Sequence, residues 1–117
     1  MPSPSPQSER RRRIRVRADF SVALKVGANS TDAQAKDISE LGLACTSDTK
    51  LAMRAKVQIE LALPGKPAAH QIDGHVIRCA AVDATGREYN VAIAFTAMTP
   101  ICRAAIFGYV QKGKRVR

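Results

Sequence analysis

Six arginines crowd residues 10–17 (Arg10, Arg11, Arg12, Arg13, Arg15 and Arg17) with only Glu9 beside them. Two pairs lie four apart, Arg11/Arg15 and Arg13/Arg17, so the cluster holds an Arg-x-x-x-Arg pattern in two registers. Each guanidinium fork presents parallel N–H donors, which suit an anion such as a phosphate. A second group is Asp37-Ile38-Ser39-Glu40-Leu41-Gly42. In an Asp-x-Ser-x-x-Gly turn the Asp and Ser side chains cap backbone groups, and the glycine is free to take positive φ. The bland readings are a solvated basic tail and an ordinary Asx turn.

Catalytic constellations are thinner. His70 and His75 are the only histidines. His75 and Cys79 would share one strand face, but about 13 Å of extended chain separates them, too far for proton transfer. A surface histidine and a packed cysteine account for the pair. Ser39 with Asp37 lacks a local base, and the carboxylates are scattered singly. Cys45, Cys79 and Cys102 are odd in number and contain no Cys-x-x-Cys, which argues against metal clusters and disulfides and for a reducing cytoplasm.

Strands must position these groups. Val22, Leu24 and Val26 alternate with polar or small residues from Phe20 onward, and Gly27–Ser30 reads as a turn. Short strands are predicted over 33–37 and 42–47. The clearest runs over 56–63, where Val57, Ile59, Leu61 and Leu63 face one way; Pro64-Gly65-Lys66-Pro67 then turns the chain. Residues 70–81 form the next strand, broken by Gly74. Tyr89–Phe95 is apolar on both faces except Asn90, as expected of a central strand. Thr99 and Pro100 suit the N-cap and first position of a helix of about 12 residues, with Cys102, Ala105, Ile106, Tyr109 and Val110 as its apolar stripe. Five to six short strands plus a terminal helix predict a mainly β protein, an antiparallel barrel with a helical lid.

The 117 residues suit one domain, and the net charge of +9 is confined to the ends. Residues 18–111 carry nine cations and nine acids, while Lys112, Lys114, Arg115 and Arg117 form a basic tail. Residues 1–8, alternating Pro and Ser, read as a disordered lead-in. A neutral body with 4% aromatic residues argues against a nucleic-acid-coating surface. No stretch reaches the roughly 18–20 apolar residues of a membrane span. The first 17 residues lack the apolar core of a secretory signal.

An Arg-x-x-x-Arg arm, a strand, and then Asp37-x-Ser39-x-x-Gly42 resembles the PilZ domain. The glycine-containing strand Ile72–Arg78, the Tyr89-x-x-x-x-x-Phe95 strand and the closing helix agree with it, so the resemblance spans about 9–111. Each motif alone is short; in order and at this spacing they are more specific. The resemblance implies a six-stranded antiparallel β-barrel with a C-terminal α-helix, and a non-enzymatic receptor for cyclic di-GMP that signals to a downstream protein partner. Its implied ligand residues are Arg11, Arg15, Asp37, Ser39 and Gly42, with Arg10, Arg12 and Arg13 contributing. The Arg11/Arg15 register is favoured because Val16 then opens the strand, with Arg13/Arg17 as the fallback. Arg10, just before the first motif arginine, is compatible with an intercalated ligand pair.

The chemistry suits that ligand. Guanidinium planes stack on purines and pair with phosphates, whereas Asp37 complements guanine N1–H and N2–H₂. Ser39 is a phosphate donor, Gly42 permits close backbone approach, and Arg78 and Asn90 are secondary candidates. The alternatives are a basic-armed barrel binding single-stranded nucleic acid, and a PilZ-like adaptor without nucleotide. No cofactor, metal, nucleic acid or stable membrane insertion is expected. The chain carries no fused enzymatic segment, which suggests a stand-alone receptor.

Overall fold

Alternating side chains make each strand two-faced, and in this protein the apolar faces close on one another. The computed structural model describes residues 14–113. Six strands, β1 (Val16–Val26), β2 (Asn29–Ile38), β3 (Gly42–Ser47), β4 (Lys56–Ala62), β5 (Ala69–Ala81) and β6 (Tyr89–Met98), precede one helix, α1 (Pro100–Lys112). The strands form a closed barrel in the order β1-β2-β3-β6-β5-β4, every pairing antiparallel. Pairing of β1 with β4 closes the ring and leaves no sheet edge.

The interior is aliphatic. Val22 and Leu24 of β1, Leu43 of β3, Ile59 and Leu61 of β4, Ile72 and Val76 of β5, and Val91 and Ile93 of β6 are all buried. Each such side chain contributes about 1.5–3 kcal/mol by leaving water. The buried stripe of α1 (Cys102, Ile106 and Val110) joins the same core. Thr99 caps the helix, its hydroxyl accepting from the Cys102 amide at 3.1 Å. The far end of α1 meets the start of β1. Phe20 and Tyr109 stack edge-to-face with ring centroids 6.0 Å apart, and a Cβ on Gly113 would lie 2.7 Å from that of Val16.

Several boundaries differ from expectation. The first strand begins at Val16, the residue expected to open it, ahead of the period-2 run from Phe20, whereas β2 begins at Asn29 rather than residue 33. The polar run Asn29–Asp32 is strand because it ladders against Ala23–Val26, and only Gly27 and Ala28 turn. Gly27 takes φ +61°, the positive value a two-residue hairpin needs. Gly74 does not break β5. A Cβ there would lie 2.6 Å from the Ala94 carbonyl oxygen, so the missing side chain lets β5 and β6 approach. The last strand continues to Met98. Its outer residues Ala92 and Ala94 are half-exposed, so β6 is covered on one face only, contrary to the reading as a strand buried on both. No helix among the described residues is long and apolar enough to cross a membrane.

Candidate functional site

Strict alternation along β2 would send Ala33, Ala35 and residue 37 into the core. Ala33 and Ala35 are buried, but the next buried residue is Ile38. The ladder to β3 slips by one residue between Ala35 and Asp37, and the opposing ladder slips between Arg17 and Phe20 of β1. The extra residue reverses the phase, so Ile38 turns inward and Asp37 turns out.

The same device recurs on β5. Ile72, Gly74 and Val76 face inward, and position 78 would follow them. A slip between Val76 and Arg78 places Arg78 outside instead. Both charged residues therefore occupy positions that period-2 alternation assigns to the core, and a one-residue bulge exposes each.

Between them the floor is made of methyl groups. Asp37 is laddered to Ala44, Ala44 to Ala92, and Ala92 to Arg78. This row crosses β2, β3, β6 and β5 on the outer face and spans roughly 14 Å at the usual strand spacing. Lys36, Asp37, Ala44, Arg78, Asn90 and Ala92 line a cleft of about 270 Å³. A larger cleft of about 530 Å³, lined by Arg17, Asp19, Lys36, Asp37, Pro64 and Tyr109, adjoins it at Lys36 and Asp37. Asp37 thus stands where two clefts meet.

Arg15 closes on this point. Its Nη1 donates to Asp37 Oδ1 at 2.6 Å, the only salt bridge among the described residues. Arg17 is the direct cross-strand neighbour of Asp37 and remains exposed. Its carbonyl accepts from the Tyr109 hydroxyl at 3.3 Å, tying the base of the arginine arm to α1.

The rest of the turn is packed into the barrel wall. Ser39 is buried, and its Oγ accepts from the Leu41 amide at 3.1 Å while the Ser39 amide donates to the Gly42 carbonyl at 2.8 Å. Asp37 does not cap the turn, because it faces Arg15. Gly42 does not take the positive φ expected of it. It is needed because a Cβ would run into the Ile93 carbonyl oxygen of β6. The structure thus brings together Arg15, Arg17, Asp37, Arg78 and Asn90, and seals Ser39 and Gly42 beneath them. The expectations for Arg10, Arg11, Arg12 and Arg13 lie outside the described residues.

Sequence reasoning missed the alanine floor, since Ala44 and Ala92 look like core filler in an apolar run. The signal for the exposed ends was present: a charge standing in core phase at 37 and at 78. His75 and Cys79 do not share a face as expected: the slip between Val76 and Arg78 leaves His75 outside and packs Cys79 against the core. Among the described residues no three His, Cys, Asp or Glu side chains cluster as a metal site would require.

The fold matches solved structures at low identity. The Bacillus subtilis inhibitor of motility (MotI/DgrA) superposes with a TM-score of 0.73 at 14% identity, covering 85% of this chain and 48% of that one. The PilZ domain of YcgR from Escherichia coli, solved with c-di-GMP, gives 0.65 at 16% identity, covering 86% and 89%. Borreliella burgdorferi PlzA in complex with c-di-GMP gives 0.60 at 11% identity, covering 89% and 52%. The chain spans about half the length of MotI and of PlzA. No curated protein sequence matches it. The PilZ domain model matches residues 9–112, nearly the entire chain and the whole barrel with its helix, and the chain belongs to the PilZ domain family.

Proposed function

We propose that this protein is a non-enzymatic cyclic di-GMP receptor whose ligand lies across the outer face of β2, β3 and β6, clamped by the arginine arm. PilZ domains are generally non-catalytic receptors of this nucleotide, and two of the similar structures hold it. The observation that carries the reading is the position of Asp37, between Arg15 and Arg17 on one side and a methyl-floored cleft ending at Arg78 on the other.

The parts fit the ligand's chemistry. Asp37 supplies the acceptor for guanine N1–H and N2–H₂, which arginines lack. Arg15 and Arg17 supply forks for phosphate or the O6/N7 edge. Ala44 and Ala92 are flat enough for a purine to lie on, and Arg78 and Asn90 close the far end. Ser39 and Gly42 act from below, holding the turn that places Asp37. The Arg15–Asp37 contact supports the Arg11/Arg15 register, because it puts Arg15 at the entrance to β1 and within reach of the acid.

In the free protein Arg15 and Asp37 satisfy each other. Ligand binding exchanges that contact for contacts to phosphate and base, moves the arm, and changes the surface beside Tyr109 and α1. That surface is where a downstream protein would sense the change.

Isothermal titration of cyclic di-GMP into the wild type and into Arg15→Ala tests the reading. Saturable micromolar binding in the wild type, weakened at least tenfold in the variant, is expected. Absence of binding to the wild type ends it. A steep salt dependence without preference for cyclic di-GMP over single-stranded RNA would instead favour the nucleic-acid alternative.

A further inference from the structure

A second cationic cleft lies at the other end of β1, about ten residues or 30 Å along the strand from Arg15. Lys25, Gly27, Arg54, Lys56, Gln58, Asp73, Gly74, His75 and Thr96 are among the residues that enclose about 770 Å³. It shares no lining residue with the two clefts at Asp37. A volume in this range with a few convergent polar groups suits a small ligand.

The strands place these side chains on one face. Lys25 is laddered to Gln58 and Gln58 to Asp73, while Lys56 is laddered to His75 in the neighbouring row. Among the described residues none of Lys25, Arg54 and Lys56 has a carboxylate within ion-pair distance. Three cations of a charge-balanced body thus converge on one cavity holding a single acid, Asp73.

Arg54 is the informative member. It has φ +65° and is the only non-glycine residue with positive φ among those described. A long side chain rarely tolerates that conformation, and it persists only where neighbours impose it. Here the Arg54 amide donates to the Val76 carbonyl at 2.8 Å, and the Val76 amide donates to the Ala55 carbonyl at 3.0 Å. Two bonds to β5 hold the strained residue at the cavity, where a glycine would relieve the strain and remove the charge.

We propose that this cleft is a second binding site, for a small ligand carrying a phosphate or pyrophosphate group, held by Lys25, Arg54 and Lys56. Asp73 and Gln58 face the ligand's hydrogen-bond donors. The site is separate from the arginine arm and does not depend on what the arm binds.

The test is a titration of the full chain with inorganic pyrophosphate at constant ionic strength, followed by amide shifts in ¹H–¹⁵N spectra. Saturable shifts at Gly27, Arg54, Gly74 and His75 are expected, persisting unchanged in Arg15→Ala. Arg54→Gly and Lys56→Gln should each weaken binding roughly tenfold, the loss of one charge-assisted hydrogen bond. Arg54→Gly should also raise the melting temperature, which separates loss of the site from loss of the fold. Shifts that are absent, confined to the residues around Asp37, or undiminished in the Arg54→Gly/Lys56→Gln double variant would overturn the assignment.

Discussion

Arg15 and Asp37, 22 positions apart in the chain, are joined by a 2.6 Å contact across the β1–β2 pair, with both side chains partly open to solvent. So exposed a pair adds little to stability, since water and salt screen it. Its significance is positional: it gathers the arm's cation and the barrel's acceptor at one point before any ligand arrives. Asp37→Ala should therefore change the unfolding free energy by at most about 1 kcal/mol. The same variant should weaken cyclic di-GMP binding about tenfold or more, because guanine donors lose their charged acceptor. Urea unfolding and calorimetric titration on one preparation measure both; a large stability loss with unchanged affinity would make the pair structural.

Gly42 and Ser39 should behave in the opposite way. A methyl group at Gly42 runs into the Ile93 carbonyl oxygen, which the closed barrel relieves only by moving β3 from β6. Gly42→Ala is expected to cost roughly 1–3 kcal/mol, the usual range for overpacking. Ser39→Ala leaves the Leu41 amide without its side-chain acceptor and should cost about 1–2 kcal/mol. Denaturant unfolding gives both numbers. Weakened ligand binding in either variant should follow the unfolded fraction and recover at lower temperature.

The floor of the cleft offers a sharper test, because Ala92 is half-exposed and does not hold the core. Ala92→Leu adds bulk above the sheet without displacing a buried group, so stability should change within about 0.5 kcal/mol. A purine lying on Ala44 and Ala92 would be lifted by the added branch, and affinity should fall at least tenfold. Affinity equal to the wild type, measured by the same titration, would remove the base from that face.

These residues also show what was legible before the fold was known. The strand carrying Val57, Ile59 and Leu61 and the Thr99-Pro100 helix start could be read directly, because period and cap chemistry are local properties. The start of β2 could not, since Asn29–Asp32 are polar and become strand only through their partners on β1. The two bulges were hidden for a related reason. One extra residue leaves no fixed composition, and its trace was a charge in core phase at 37 and at 78. Arg15 and Asp37 were matched through the resemblance to PilZ domains. Pattern alone places no residue 22 positions away.

Cys45 supplies a pH signature of the barrel interior. Its thiol is 2% exposed between Ala35 and Val91, its ladder partners on β2 and β6. Burial foremost, with neighbouring Cys79 adding to it, pushes its pKa from 9.0 to about 12. A group that ionises later in the folded state stabilises that state fully below the unfolded value, and the contribution is lost as pH rises towards the folded one. Between pH 9 and about 12 the native chain retains a proton that the unfolded chain has released, so stability falls by up to about 1.4 kcal/mol per pH unit. Cys45→Ala lacks this group and should show a shallower decline over the same window, although its neutral-pH stability starts lower for want of the sulfur's packing. Urea midpoints at pH 8, 9, 10 and 11 for the two proteins give the difference in slope. Parallel curves would mean that the Cys45 thiol ionises in the folded barrel as readily as in the open chain.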